Sequence, residues 1–202
     1  MAIIEVERKF ILKPGECLPW GNNKELLFTD QYFDTSSYKL TGQNWWLRKR
    51  WIVWELKVGR FGPKNTTTMY EEITGEKYIA DRLGLVLDGK GLAKVLEECG
   101  YFSFAELETE RELYENRNGF IISVDRVSAE GGKFNYKIVE IELQVPEEER
   151  DSAAEQICAF AKSLGLDDRP VRGKLIEYLR LFRPNHFVFL VTRGVISQEL
   201  AA

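Results

Sequence analysis

Along this chain, segment after segment alternates with period two between an apolar side and a charged side, and this repetition limits the possible folds more than any other feature. In Ile3 to Leu12, Glu5, Glu7 and Lys9 share one face and Ile4, Val6 and Phe10 the other. Near residue 140, Ile138, Glu140 and Glu142 lie opposite Val139, Ile141, Leu143 and Val145. Side chains alternate sides along a strand, so both segments read as strands with one clean apolar face. Taken singly, each would be a sheet strand whose charged face meets water. The strands read together argue against that. Trp46, Arg48 and Arg50 place two guanidiniums beside an indole on one face, and further on Glu55 and Lys57 share another. Lys57, Glu72, Arg111 and Asp125 each add a charge inside a segment of otherwise apolar or β-prone residues. A barrel can turn its apolar faces outward against helices and its charged faces inward, around an ionic ligand and water.

The remaining segments supply the parts for such a barrel. Leu26 to Thr35 places Phe28, Asp30, Tyr32 and Asp34 on one side, and Trp45 to Val58 reads as two strands or one long bent strand. Thr67 to Ile73 is a further strand, as are 105–115, 119–128 and 134–145, with hairpin turns at Asn116 to Gly119 and Ala129 to Gly132. Residues 76–99 break the pattern with two short helices parted by Asp88-Gly89 and Gly91. After Pro146, Glu147 to Glu149 suit a helix N-terminus, and Ala154, Ile157, Phe160, Ala161 and Leu164 form the stripe of a helix ended by Gly165. A last helix runs from near Val171 to Pro184. The expected class is α+β, a closed antiparallel barrel of about eight strands with flanking helices. With 44% hydrophobic residues, 202 residues suit one packed domain, with a core at about 3–185 and a tail at 186–202.

Several function classes are excluded. The formal net charge is −4, which advertises neither a nucleic-acid nor a membrane-surface partner. Three widely spaced cysteines fit a reducing compartment, and no apolar run approaches the length of a bilayer span, so a cytoplasmic monomer is expected. The only histidine, His186, reads as a surface or helix-end residue and cannot build a histidine metal site. No Ser-His-Asp or Cys-His pair is evident, and Gly59 to Gly62 lacks the Gly-x-x-x-x-Gly-Lys pattern of a phosphate-binding glycine loop. An enzyme made from this chain must work with carboxylates, metal ions and fixed cations. Two carboxylates about 4 Å apart repel by ~4 kcal/mol at an effective dielectric near 20, a cost that a divalent cation removes. Oxygen ligands alone favour Mg²⁺ or Mn²⁺, and arginines and lysines in the same cavity call for a polyanion, phosphate above all.

The segment Glu5-Val6-Glu7-Arg8-Lys9 is an ExExK motif, and it resembles the amino-terminal signature of the CYTH superfamily of triphosphate tunnel metalloenzymes. The rest of the series follows in order: Asp30-Gln31-Tyr32-Phe33-Asp34-Thr35, Trp46-Leu47-Arg48-Lys49-Arg50, Trp54-Glu55-Leu56-Lys57, then Glu72, Arg111, Asp125, Glu140-Ile141-Glu142 and Lys174 to Leu179. The resemblance covers roughly 3–185. Within the superfamily, the WLRKR, WELK and KLIEYLRLFRP segments look most like the animal-type thiamine-triphosphatase branch. This resemblance implies an eight-stranded antiparallel tunnel and Mg²⁺-dependent hydrolysis of thiamine triphosphate. It places Glu5, Glu7 and Glu142 near one metal, Asp125, Glu140 and Glu142 around a second, and Glu72 as a further metal or water ligand. Lys9, Arg48, Arg50, Lys57, Arg111 and Lys174 would grip the phosphates. Lys9 or a carboxylate, Glu140 or Glu142, would orient the attacking water. Trp46 would stack on the thiamine rings, the plainer reading being a packing residue at the barrel rim. Glu71, out of register, should face away.

Inorganic triphosphate or a nucleotide is the nearest competing substrate. A non-catalytic polyphosphate-binding module would need the cations but not both carboxylate groups, and adenylate cyclase chemistry is a further possibility within the superfamily. Residues 11–25 depart from the expected pattern, being shorter and richer in Pro and Trp. The tail after Pro184, with Phe187, Val188, Phe189 and Leu190, has no clear counterpart and fits either a terminal helix or a partner surface.

Overall fold

The computed structural model describes residues 3–12, 23–60, 67–115, 119–167 and 169–201. Eight strands, β1 (Ile3–Phe10), β2 (Lys24–Thr35), β3 (Trp45–Arg50), β4 (Val53–Gly59), β5 (Thr67–Thr74), β6 (Tyr101–Glu115), β7 (Ile121–Ala129) and β8 (Phe134–Pro146), close into a barrel in the order β1-β5-β4-β3-β2-β6-β7-β8. Every neighbouring pair is antiparallel. The stretch 45–58 is thus two strands. Its Glu55 and Lys57 do not look away from Trp46 and Arg48, because register sets Trp46 opposite Lys57 and Arg48 opposite Glu55.

Register makes the charged faces a single surface. Directly opposed residues share a face, so Glu142 opposite Glu7, Tyr70 opposite Glu5, Glu72 opposite Lys57, Arg48 opposite Tyr32 and Asp125 opposite Arg111 carry one lumen around the barrel. A slip of one residue in any strand would drive its charges into the outer core and its aliphatics into the lumen.

The outer faces are apolar and helices cover much of them. Helix α3 (Arg150–Ser163) lays Ala153, Ile157 and Ala161 on Ile4, Val6, Ile122, Val139 and Ile141. Helices α1 (Glu76–Leu83) and α2 (Leu92–Glu98) cover Leu47, Trp54, Leu56 and Val58 with Ile79, Ala80, Leu92 and Leu96. Helix α4 (Lys174–Phe182) instead lies against the lumen side, where Leu175, Tyr178 and Leu179 pack with Leu107, which is opposite Asp30, and with Val127 and Phe134, which share the face of Asp125. Burying a leucine- or isoleucine-sized side chain in these clusters contributes about 1.5–3 kcal/mol. Two of the three apolar clusters therefore lie outside the lumen, and the third borders it. No helix among the described residues is long and apolar enough to cross a membrane.

Two expectations need correction. Strand β6 begins at Tyr101, not near 105, because a register shift at Tyr32/Phe33 lets the end of β2 pair with Tyr101, Phe102 and Ser103. His186 is in the first turn of a helix but not at the surface. Pro184 ends α4 and opens α5 (Pro184–Thr192) at its first turn, where a missing N–H costs nothing. Phe187 and Leu190 then draw α5 onto the barrel, leaving His186 only 3% exposed. Its ring stacks on Tyr38 at 3.9 Å and 9°, meets Phe104 edge-on, and its Nε2 is 2.7 Å from the Thr41 hydroxyl. Burial holds the imidazole down, to about 4. A short α6 (Gln198–Ala201) follows, so the tail is helical, with Ile196 buried in the same cluster as Leu190.

Candidate active site

Glu5 and Glu7 are two residues apart on β1, hence on one face, and Glu142 on β8 is directly opposite Glu7. One oxygen from each lies within 4.8 Å of the others. Glu5 is 3% and Glu7 6% exposed, so the crowding occurs away from water. Burial raises the Glu5 carboxyl well above its usual range, against the pull of Lys57, and Glu7 and Glu142 add to the rise. Burial raises Glu142 as well. For Glu7 burial also acts upward, but Lys9 and Lys57 outweigh it and hold the group well below the usual range. Lys9 ion-pairs with Glu7 and donates to Thr68 Oγ1 at 3.2 Å, while Thr68 donates to Glu7 at 2.9 Å. Lys57 reaches Glu5 at 2.6 Å and Glu72 at 2.8 Å. Both ammonium groups keep their protons despite burial, since the facing carboxylates raise them.

Across the lumen the charges are arranged differently. Asp30, with no exposed surface, takes both arms of Arg50 at 2.8 Å and stands 3.6 Å from Arg48 and 3.4 Å from Lys174. Asp125 takes both arms of Arg111, at 2.6 and 2.7 Å, and Lys174 at 3.0 Å. Arg111 also reaches Glu140 at 3.2 Å. Burial pushes both aspartates upward, yet these cations more than reverse it and hold both low.

Between the two arrangements opens a cavity. Lys9, Arg48, Lys57 and Lys174 line it with Glu7 and Glu140, and Tyr32, Trp46, Tyr70, Leu175 and Ile176 form its less polar part. Arg48 also pairs with Glu55 at 2.6 Å. Trp46, only 8% exposed, donates its indole N–H to Asn44 Oδ1 at 2.8 Å. Gly173 passes so close to Lys9 that a Cβ would lie 2.9 Å from Lys9 Cε.

Of the residues expected at the site, Lys9, Trp46, Arg48, Lys57, Glu140, Lys174 and Glu7 meet at this cavity, with Glu5, Glu72 and Glu142 beside it. Arg50 and Arg111 are drawn to aspartates. Glu5, Glu7 and Glu142 are the one carboxylate trio among the described residues close enough to share a metal ion. The second expected trio, Asp125, Glu140 and Glu142, is not brought together, because the Arg111 fork and Lys174 occupy Asp125. Glu71 does face out, to Arg60 and Arg82 at 3.0 Å each. Asp30, Tyr32, Thr68, Tyr70 and Gly173 were not among the expected site residues. The alternation of Phe28, Asp30 and Tyr32 was a usable signal for the first two, since it sets Asp30 on the same face as the aromatics. Residues 13–22 and 61–66, which include most of the atypical amino-terminal stretch and the end of the Gly59–Gly62 loop, lie outside the described residues.

The CYTH domain family profile matches residues 3–170. Thiamine-triphosphatase of Homo sapiens is 34% identical over an alignment that covers 92% of this chain and 88% of that protein, and the Macaca fascicularis thiamine-triphosphatase matches with the same figures. Among solved structures, the PH1819 protein of Pyrococcus horikoshii OT3 superposes with a TM-score of 0.60 at 19% identity, covering 90% of this chain and 99% of that one. A Bacillus halodurans protein superposes with a TM-score of 0.55 at 21% identity, over 90% and 100%. Those two share the fold.

Proposed function

We propose that this chain, which belongs to the CYTH domain family, hydrolyses thiamine triphosphate to thiamine diphosphate and phosphate with a magnesium ion as cofactor. One observation carries the reading: four cationic side chains line a single cavity against a carboxylate trio, with an indole in the same wall. The human relative supplies the substrate, and the cavity offers groups that suit each part of it.

The fit to magnesium rests on the donor set. Three carboxylate oxygens within 4.8 Å, with no imidazole or thiolate among them, are hard ligands suited to Mg²⁺. Held by Glu5, Glu7 and Glu142, the ion would neutralise phosphate oxygens and acidify a bound water. The chain's own groups do the rest. Lys9, Arg48, Lys57 and Lys174 bind phosphate oxygens and spread the charge that develops on them, the main demand of phosphoryl transfer. Lys9 and Glu140 oppose each other across β1 and β8 and both line the cavity. A water between them would be oriented by an ammonium donor and a carboxylate acceptor. Lys9 itself is not the base, since the facing carboxylates keep it protonated. Arg50 and Arg111, fixed by Asp30 and Asp125, hold the positive wall in place.

Trp46 offers an indole face to the thiazolium ring, an attraction of about 0.5–2 kcal/mol. Phosphate release from thiamine triphosphate, inorganic triphosphate and nucleoside triphosphates, each with Mg²⁺, with Mn²⁺ or with excess chelator, tests the whole reading. Thiamine triphosphate should lead in kcat/KM, and turnover should vanish with chelator. Trp46→Ala should lose up to a few tens of fold on thiamine triphosphate and far less on inorganic triphosphate. A wild-type preference for inorganic triphosphate or a nucleotide would overturn the assigned substrate, and phosphate release in chelator would overturn the metal.

A further inference from the structure

We propose that Asn44 sets the orientation of Trp46 and so helps select a ring-bearing triphosphate, an inference that rests on the stacking role given to Trp46 above. Asn44 follows the short turn Thr41–Gln43 and adopts the left-handed conformation, φ 61° and ψ 37°. Few residues other than glycine and asparagine adopt it readily. Its Oδ1 accepts the Trp46 indole N–H at 2.8 Å.

Two contacts fix the amide that makes this bond. The Gly59 N–H donates to the Asn44 carbonyl at 2.9 Å, tying the turn to the end of β4. A Cβ on Gly59 would fall 2.0 Å from Asn44 Nδ2, so the amide fills the space a side chain at 59 would take. Gly59 ends β4 without a positive φ, so close approach, not a turn, is what requires glycine here.

The turn is anchored in its own right. Asp34 accepts the N–H groups of Leu40 and Thr41, at 2.9 and 2.8 Å, and the Thr41 hydroxyl at 2.7 Å. Because that hydroxyl donates to Asp34, it accepts from His186 Nε2, which links the turn to α5. Asn44 is thus a rigid bracket. A tryptophan on a strand has more than one common χ1 rotamer, and holding its N–H leaves one. An indole already facing the cavity binds a ring without first losing that freedom.

The two roles of Asn44, backbone and amide, can be separated. Asn44→Gly keeps the left-handed conformation and deletes the acceptor, whereas Asn44→Asp keeps an acceptor oxygen in the same place. Steady-state constants are measured for both and for Trp46→Ala, with thiamine triphosphate as substrate and inorganic triphosphate as substrate or competitive inhibitor. The expected result for Asn44→Gly is a KM for thiamine triphosphate about three- to tenfold higher with kcat little changed, the loss typical of one hydrogen bond. Binding of inorganic triphosphate should move far less, and Asn44→Asp should restore the wild-type preference. If Trp46→Ala discriminates between the substrates and Asn44→Gly does not, the bracket is overturned and the stacking role stands. If neither discriminates, the stacking role fails and takes the bracket with it.

Discussion

On the wall formed by β1, β8 and β4, Glu5, Glu7 and Glu142 crowd within 4.8 Å and two lysines offset only part of their charge. On the wall formed by β2, β3, β6 and β7, Asp30 and Asp125 are each clasped by both arms of an arginine. Burial drives Glu5 and Glu142 upward on the first wall, while the cations of the second hold both aspartates low. The contrast follows from the cations used. An ammonium is a point charge on a flexible stem and can exchange a carboxylate for a phosphate. A guanidinium locked in a two-point pair is held in one geometry. One wall is short of positive charge and ready to accept it; on the other the aspartates are matched and hold a frame from which Arg48 faces the cavity.

Substitutions on the two walls should therefore fail in opposite ways. The largest effect belongs to Glu142→Gln, which removes a charge from the trio proposed to hold the metal without changing shape. Turnover should fall by on the order of 10²–10³, while the unfolding midpoint in denaturant stays level or rises because repulsion at Glu5 and Glu7 is relieved. A loss of stability alongside activity would show that the crowded wall also supports the fold. Asp30→Asn should do the reverse. It leaves Arg50 and Lys174 short of a buried counter-charge and should cost about 3 kcal/mol of stability, read from equilibrium urea unfolding. Unchanged stability would remove the distinction between the walls.

A third effect, spread over a range of pH, lies on neither wall and provides a reference. His186 titrates near 4 in the folded chain and near 6.5 when unfolded. Below pH 6.5 the unfolded chain takes up a proton that the native state refuses, so stability falls as pH drops toward 4. The total loss is about 3 kcal/mol. The stability difference between wild type and His186→Asn should shrink across that window. A difference that stays constant with pH would mean that the imidazole is not buried neutral.

The barrel was readable from the sequence because period two is a local signal. Glu5, Glu7, Lys9, Arg48 and Lys57 declared their face within one strand each, and only a closed sheet could bury so many such faces. What stayed hidden depends on partners distant in the chain. The fork between Arg50 and Asp30 joins residues 20 apart through register, and the contact of His186 with Thr41 spans 145. Nothing near His186 announces Tyr38 or Thr41, so a polar residue beside a proline looked like surface. The cations around Asp125 were hidden for a similar reason. Its side of β7 was legible, but its possession by Arg111 and Lys174 was not.

The meeting of Glu7 with Glu142, and of Lys9 with Gly173, has a consequence in time. The first strand leaves the ribosome long before its partner on β8 exists. At about 5–20 residues per second, the intervening chain takes on the order of ten seconds to make. Throughout that interval β1, apolar on one face, has one edge lacking its final neighbour, the kind of edge that pairs with foreign strands. Closure must also join ends far apart in the chain, which slows folding. The order of synthesis thus makes the newborn chain most vulnerable at the strand that carries its first acids, and a chain cut short before Lys174 would keep that strand but lack the last cation of the cavity.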